Sequence, residues 1–438
     1  MTTKKTVQKP GHSGHYKPHW FEKVSSEGMA FLGVASEQKK QDDGYARTLC
    51  LVPDGSPLLP VIDAFYHHTP VALDLPFWSF LWFVSAWLAQ EGVAIEVGGQ
   101  RVSPELWLVL LARSGGYKTF SADIVKKYAP VKDNISGIES DAKLIEILAD
   151  LEGKGERPRW IDDEFAQTLK KIEQDGSPMS GCKKYLLQMY DGGKIQRKTK
   201  AYEMAVEKTK TSILGINVYE TFLKVISPES LADGFGQRFD YVVASDPMRE
   251  PQPRNSKSGR YVEIDRAHLE SVTKKAWEAI TAQPLLKDYR LAPAAKETFQ
   301  EASDLFAEKY ADVPASFFIR IRWRLFAYAL VYHILRGKGA EAEIDTTDAR
   351  YAVLLFRQSL GYISEIFTDI DSGETMYKID RVRILFAKHE ATQEAKKPHE
   401  RKPFSTRDIV IGMRAQKVKT SEAAKLYEIV FGKPYEGR

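Results

Sequence analysis

The run Leu106-Trp-Leu-Val-Leu-Leu111 constrains this chain more than any other stretch. It is apolar throughout, with no alternation, so a strand built from it must bury both faces. Such strands belong inside parallel sheets covered by helices on either side. Ser114-Gly-Gly116 follows at once, and a helical pattern then runs over 119–128. Strand-like runs recur at 93–97, 211–216 and 241–244, with helical segments at 141–151, 179–190 and 218–226 among them. Strands alternating with helices predict an α/β fold.

Length and composition bound the rest. A chain of 438 residues predicts about two to four domains. Hydrophobic residues at 43% and charged residues at 28% are ordinary for a soluble globular protein. The net charge of +4, from 63 Lys+Arg against 59 Asp+Glu, permits nucleic-acid binding without arguing for it. Cys50 and Cys182 form no CxxC pair, which speaks against a zinc site or disulfide framework and for a reducing cytoplasm. Residues 1–18 are polar and basic with no apolar centre, unlike a secretory signal. They read as a flexible tail or a DNA-contacting arm. The most apolar segment, 71–89, is interrupted by Asp74 and Pro76. What remains is too short to cross a bilayer. A buried helix packed against the next domain is expected instead, with no membrane contact.

Residues 60–92 read as two helices, and the strand at 93–97 ends in Gly98-Gly99. The stretch 249–260 (REPQPRNSKSGR) reads as a linker. Helical periodicity follows over 265–366, with breaks near Pro293, Pro314 and Gly337-Lys-Gly339. A second polar stretch, 391–403, precedes a short tail. The expected organisation is a partly flexible leader (1–56), an N-terminal helical segment (57–100), an α/β core (101–250), a helical lid (261–370) and a C-terminal helical or winged-helix-like module (371–438).

The apolar run leads into chemistry. A phosphate-binding P-loop needs a buried strand, a glycine loop, a Lys for the phosphates and a hydroxyl for Mg²⁺ at a helix start. Ser114-Gly115-Gly116-Tyr117-Lys118-Thr119 supplies these in order. Lys118 would bind phosphate and Thr119 the metal. Two positions depart from G-x-x-x-x-G-K-[ST]. Ala112 stands for the first glycine and Tyr117 for the last. A tight bend is needed at the second position, and Gly115 and Gly116 are the residues available to carry it; a chance glycine turn is the plain alternative.

Trp160-Ile-Asp-Asp-Glu164 lies downstream. Asp163 would hold Mg²⁺ and Glu164 would act as the base that polarises water. The same acids would also cap a helix beginning at Phe165, and the strand expected before them, 157–161, is short and basic. Asn217 ends the run at 211–216 and is placed to sense a γ-phosphate, or to cap a helix. Arg238, in Gly234-Phe-Gly-Gln-Arg-Phe239, is a candidate arginine finger acting on a neighbouring subunit, or a structural ion pair.

Taken together, the stretch from about residue 60 to residue 366 resembles the YfjI-like helicase-associated P-loop ATPases of phages and plasmids, relatives of primase–helicases. The matching residues are Ser114 to Thr119, Asp163-Glu164, LLQMYDGGKIQR at 186–197, ILGINV at 213–218, DGFGQRF at 233–239 and RIRWRLFAYALVYHIL at 320–335. The resemblance implies a RecA/AAA+-like core, a helical lid and work on replicating DNA. No primase motif precedes it.

Lys194, Arg197, Lys198, Lys200, Lys208 and Lys210 crowd one segment, with Tyr202 among them. A hairpin there would track DNA phosphates and stack a base, or be a solvated charged hairpin. Arg320, Arg322 and Arg324 read as lid residues, with one of them near the nucleotide or, more simply, in core or ion-pair roles. The tail offers helices at 379–386, from Ser405 and at 418–430, with basic residues that suit a duplex-docking module or a plain oligomerisation module. The expectation is an ATP- and Mg²⁺-dependent motor on DNA, single-stranded or forked, working as a hexameric homo-oligomeric ring. The rival expectation is a nucleotide-dependent assembly or initiator protein with little or no hydrolysis.

Overall fold

The computed structural model describes residues 48–174, 176–198, 203–226, 234–244, 264–311, 313–394, 398–414 and 418–431. The basic leader at 1–18, the linker at 249–260, Lys200 and Tyr202 lie outside the described residues. Two helices come first, α1 (Leu58–His68) and α2 (Asp74–Gln90). Every residue from Asp74 to Ala89 is buried, as expected of a helix that is apolar all round. Pro76 falls in its first turn, where a missing N–H costs nothing. Among the described residues no helix is long and apolar enough to cross a membrane. The chain then forms β1 (Ala94–Val97) and β2 (Gln100–Val102), an antiparallel hairpin. Gly98 and Gly99 turn it with φ of 57° and 78°, the pair of positive values a two-residue type I′ turn requires.

The apolar run becomes β3 (Trp107–Ala112), buried at every position. After it come α3 (Lys118–Tyr128), α4 (Asp141–Gly153), β4 (Arg159–Asp162), α5 (Phe165–Glu173) and α6 (Cys182–Asp191). A hairpin of β5 (Ile195–Lys198) and β6 (Glu203–Val206) follows, then β7 (Ser212–Val218), α7 (Tyr219–Val225) and β8 (Asp240–Val243). Four of these strands form one parallel sheet in the order β4-β7-β3-β8. The chain leaves β3 toward the β4 side and leaves β7 toward the β8 side. Right-handed crossovers therefore put α3 and α7 on opposite faces. Packing agrees: α3 lies with α2, and α7 lies with α5. The α/β expectation holds. The Trp82 indole on α2 pins the sheet, donating to the carbonyls of Leu106 at 3.1 Å and Ile213 at 2.9 Å.

The stretch 265–366, read from sequence as wholly helical, contains α8 (Arg266–Thr281), β9 (Asp288–Leu291), α9 (Pro293–Lys309), α10 (Ala315–Leu335), β10 (Glu343–Ile344) and the start of α11 (Thr346–Glu394). The two unforeseen strands join β1 and β2 in a second sheet, ordered β10-β9-β1-β2. β9 alternates exposed and buried over four residues, too short a pattern to stand out, and its partner β1 is distant in sequence. α8 packs on α1 and α3, and its Trp277 stacks on Phe80 of α2 at 4.5 Å.

Contacts divide the chain into two compact units, Met1–Ser364 and Glu365–Arg438. The second unit holds the end of α11, α12 (Thr406–Gly412) and α13 (Thr420–Phe431), around Val382, Phe404, Ile409, Met413, Val418, Ala423 and Leu426. Ser405 and Asp408 form a capping box at α12. The separate helix expected at 379–386 is instead part of α11, which runs without a break into the polar stretch at 391. No proline interrupts α11, and its two glycines, Gly361 and Gly373, cost a helix only about 1 kcal/mol each. Among the described residues of this unit there is no strand, so the wing of a winged helix is not found there.

Candidate functional site

The carboxyl edge of the parallel sheet gathers most of the residues singled out by sequence. In open α/β sheets ligands sit where neighbouring strands send their crossovers to opposite faces. Here that pair is β3 and β7. The loop Arg113 to Tyr117 leaves β3 and opens α3 at Lys118. A turn closes between the Arg113 carbonyl and the Gly116 N–H at 3.1 Å. Gly116 has no room for more: a Cβ there would stand 3.0 Å from the Arg113 carbonyl oxygen.

The bend is carried by Gly115, with φ of 78°, and by Tyr117 itself, with φ of 57° and ψ of 26°. The pairing of Gly115 with Gly116 expected from sequence is thus corrected. Tyr117 is the non-glycine residue with positive φ among those described, and it sits where the motif places glycine. Left-handed backbone costs a residue with a Cβ about 1–2 kcal/mol. The ring of Tyr117 packs edge-on to Phe120 with centroids 6.1 Å apart. Ser114, Gly115 and Thr119 are exposed, and Gly116 and Lys118 half-buried. No acidic residue lies in the first turn of α3, so no carboxylate of that turn competes for its free N–H groups.

β4 ends at Asp162, and Asp163 and Glu164 follow in an exposed turn before α5. Asp162 holds the turn: it accepts from the Glu164 N–H at 2.9 Å and from the Thr168 hydroxyl at 2.6 Å, and no side chain caps α5 at Glu164. This leaves Asp163 and Glu164 on the loop side, with Glu164 accepting from the Gln167 amide at 2.6 Å. The basic character of β4 is absorbed at a sheet edge. Arg159 donates to the Lys132 carbonyl and to Gln90 Oε1, both at 2.7 Å. Asn217, near the end of β7, is 4% exposed and in register with Leu111 of β3. Asp162 is in register with Gly215, so the acidic turn rises to the level of Asn217. With strands about 4.8 Å apart, the loop and the acids flank Asn217 across roughly 10 Å.

Arg238 lies at the other edge. It ends the 3-10 turn Gly236–Arg238, just before β8, whose first residue Asp240 is in register with Leu108. The loop departs four residues higher on β3, about 13 Å at the rise of a strand. Arg238 donates to the Gly234 carbonyl at 2.6 Å and to Asp191 at 3.1 Å, and lies over the Tyr190 ring at 5.2 Å. Sequence reasoning did not find Asp191 or Tyr190 as its partners, because they come from α6.

The basic segment forms the β5–β6 hairpin, antiparallel from Ile195↔Val206 to Lys198↔Glu203. Lys194 pairs with Glu207 at 2.5 Å and Arg197 with Asp141 at 2.7 Å. The Lys194 pair is exposed, and exposed pairs contribute little, whereas the Arg197 pair is half-buried, with side chains 25% and 28% exposed. Neither a protein-family model nor a curated protein matches the chain.

Proposed function

We propose that this chain is a Mg²⁺-dependent P-loop ATPase of RecA/AAA+ type, acting on DNA as a hexameric helicase-like ring in mobile-element replication. One observation carries the reading: the loop with Lys118, the buried Asn217 and the turn with Asp163 and Glu164 share one edge at the switch point of the sheet. A sensor strand between the loop strand and the acid strand is the order such a core has. The left-handed Tyr117 adds support, since it reproduces with a tyrosine the bend that glycine gives the motif. The resemblance to YfjI-like ATPases points the same way.

The donors fit the cofactors. Thr119 and Asp163 are hard oxygen ligands, which Mg²⁺ takes in small number together with nucleotide phosphates and water. Among the described residues no group of three or more His, Cys, Asp or Glu is placed to cage a metal alone. Lys118 and the α3 N-terminus would hold phosphates, Glu164 would orient water and Asn217 would bond the γ-phosphate. Arg238 sits too far down the sheet to serve its own loop, so its role falls on a neighbouring copy. Lys194, Arg197, Lys198 and Lys200 would line the DNA path.

The test is ATP hydrolysis with and without single-stranded DNA. DNA-stimulated turnover that Lys118→Ala abolishes is the expected result. The strained loop favours a second reading, nucleotide-driven assembly with little hydrolysis. Binding and oligomerisation without turnover would select it.

A further inference from the structure

Three arginines meet where α10 crosses the turn before β8, and their charges are unevenly answered. Arg324 is satisfied: it is buried, paired with the buried Asp240, and donates to the Gln237 carbonyl at 3.1 Å. Tyr328 donates to the other Asp240 oxygen at 2.5 Å. Arg238 is engaged through both Nη atoms, with the Gly234 carbonyl at 2.6 Å and Asp191 at 3.1 Å, and Arg320 is answered least. The Arg238 side chain is 10% exposed, and its Nε is buried without a hydrogen-bond partner. Arg320 is half-buried, and its Nε meets Gln237 Oε1 at 3.4 Å. A Cβ built on Gly234 would stand 3.4 Å from Arg238 Nη1 and 3.7 Å from Arg320 Nη2. The two guanidiniums therefore converge on one point. The acid beside them, Asp191, is 60% exposed.

Two like charges partly withdrawn from water are unfavourable unless an anion joins them. Burial and the neighbouring Arg238 both lower the pKa of Arg320, which expresses the same conflict. Planar guanidinium forks match phosphate oxygens in a way ammonium groups do not. We propose that Arg238 and Arg320 form one oxyanion site, and that its occupant is the terminal phosphate of a nucleotide held by a second copy of this chain. The choice of occupant rests on the ATPase reading; the site itself does not. The pair lies at the amino edge of the sheet, away from its own loop, so only another copy can present that phosphate. Arg320 is then a second catalytic arginine beside Arg238, delivered from α10.

The site is tested first in a Lys118→Ala background, which disables the phosphate loop. Pyrophosphate should raise the thermal midpoint of Lys118→Ala and not that of Lys118→Ala/Arg320→Ala. An equal shift in both overturns the site, whatever the wild type does with ATP. Turnover tests the occupant. Arg320→Ala should bind a fluorescent ATP analogue normally yet lose about 10²-fold in kcat, the scale of losing one preorganised donor. Arg320→Lys, which keeps the charge but not the fork, should recover only part. Mixing Arg320→Ala with Lys118→Ala should restore turnover above either alone, since each supplies what the other lacks. Wild-type turnover by Arg320→Ala, or a mixture no better than its parts, overturns the trans role. A wild type that never hydrolyses ATP, with the pyrophosphate effect intact, leaves the oxyanion site and removes the nucleotide as occupant.

Discussion

The ring of Phe165 lies directly over Gly215: a Cβ on that glycine would come within 2.5 Å of Phe165 Cδ1 and 2.6 Å of Cγ. Phe165 is the first residue of α5, and Gly215 pairs with Asp162 across the sheet. The missing side chain on β7 therefore sets where α5 begins, and with it the turn that holds Asp163 and Glu164. Gly215→Ala should destabilise the protein by about 1–3 kcal/mol, the usual cost of overpacking. Urea unfolding measures it. The same variant should lose turnover while keeping nucleotide binding, because the loop on β3 is untouched. Unchanged stability would remove Gly215 from this role.

Tyr117 holds its left-handed conformation against a cost of about 1–2 kcal/mol, close to a factor of ten in loop population. Tyr117→Gly relieves that cost without altering the path of the chain, so nucleotide affinity should hold or tighten. Tyr117→Ile should weaken it sharply, since a β-branched residue at positive φ is a genuine outlier. Titration with a fluorescent ATP analogue separates the two. Equal affinities for Gly and Ile would mean that this backbone conformation does not govern binding.

What could be read from sequence followed the length of each pattern. Leu106 to Leu111 announced a doubly buried strand because six consecutive apolar residues have no other economical home. α2 was legible for the same reason, since no face of it carries charge beyond its ends. β9 and β10 were not legible, because four- and two-residue strands carry no period and depend on β1, which the fold brings from far away. The single helix α11 hid its continuity behind a run of polar residues that break the apolar pattern without breaking the helix. At the site, the residue types were visible but their company was not. Nothing near Arg238 in sequence points to Asp191 or Tyr190, and Arg320 joins it only through the packing of α10 on the turn before β8.

Both cysteines are buried. Burial, with the Asp141 carboxylate nearby, pushes the Cys182 thiol up to about 12. Thiolate is the reactive form, so at pH 8 the native protein should react only negligibly with a thiol reagent such as dithiobis(nitrobenzoic acid). Both thiols should react promptly in denaturant. Rapid labelling of Cys182 under native conditions, located by peptide mapping, would show that α6, which carries it, opens away from the core.

Glu270 ties the phosphate-loop helix to the helical region beyond the linker. It accepts from Lys127 of α3 at 2.6 Å and pairs with Arg266 of α8 at 2.9 Å. Hydrogen bonds from Lys127 and then Arg266 hold its carboxyl down at about 2, against an ordinary 4.5. A carboxyl with a depressed pKa in the folded protein binds its proton more readily when unfolded. Its contribution is therefore complete above the ordinary value and disappears as pH falls from about 4.5 through about 2. Glu270→Gln cannot titrate, so its thermal midpoint should fall less steeply than that of the wild type across that acid window. The two curves should run parallel above pH 6. Because these are exposed contacts, the difference should also shrink in high salt. Identical acid limbs at low salt would show that the bridge between α3 and α8 adds nothing to the coupling of the loop to the helices behind it.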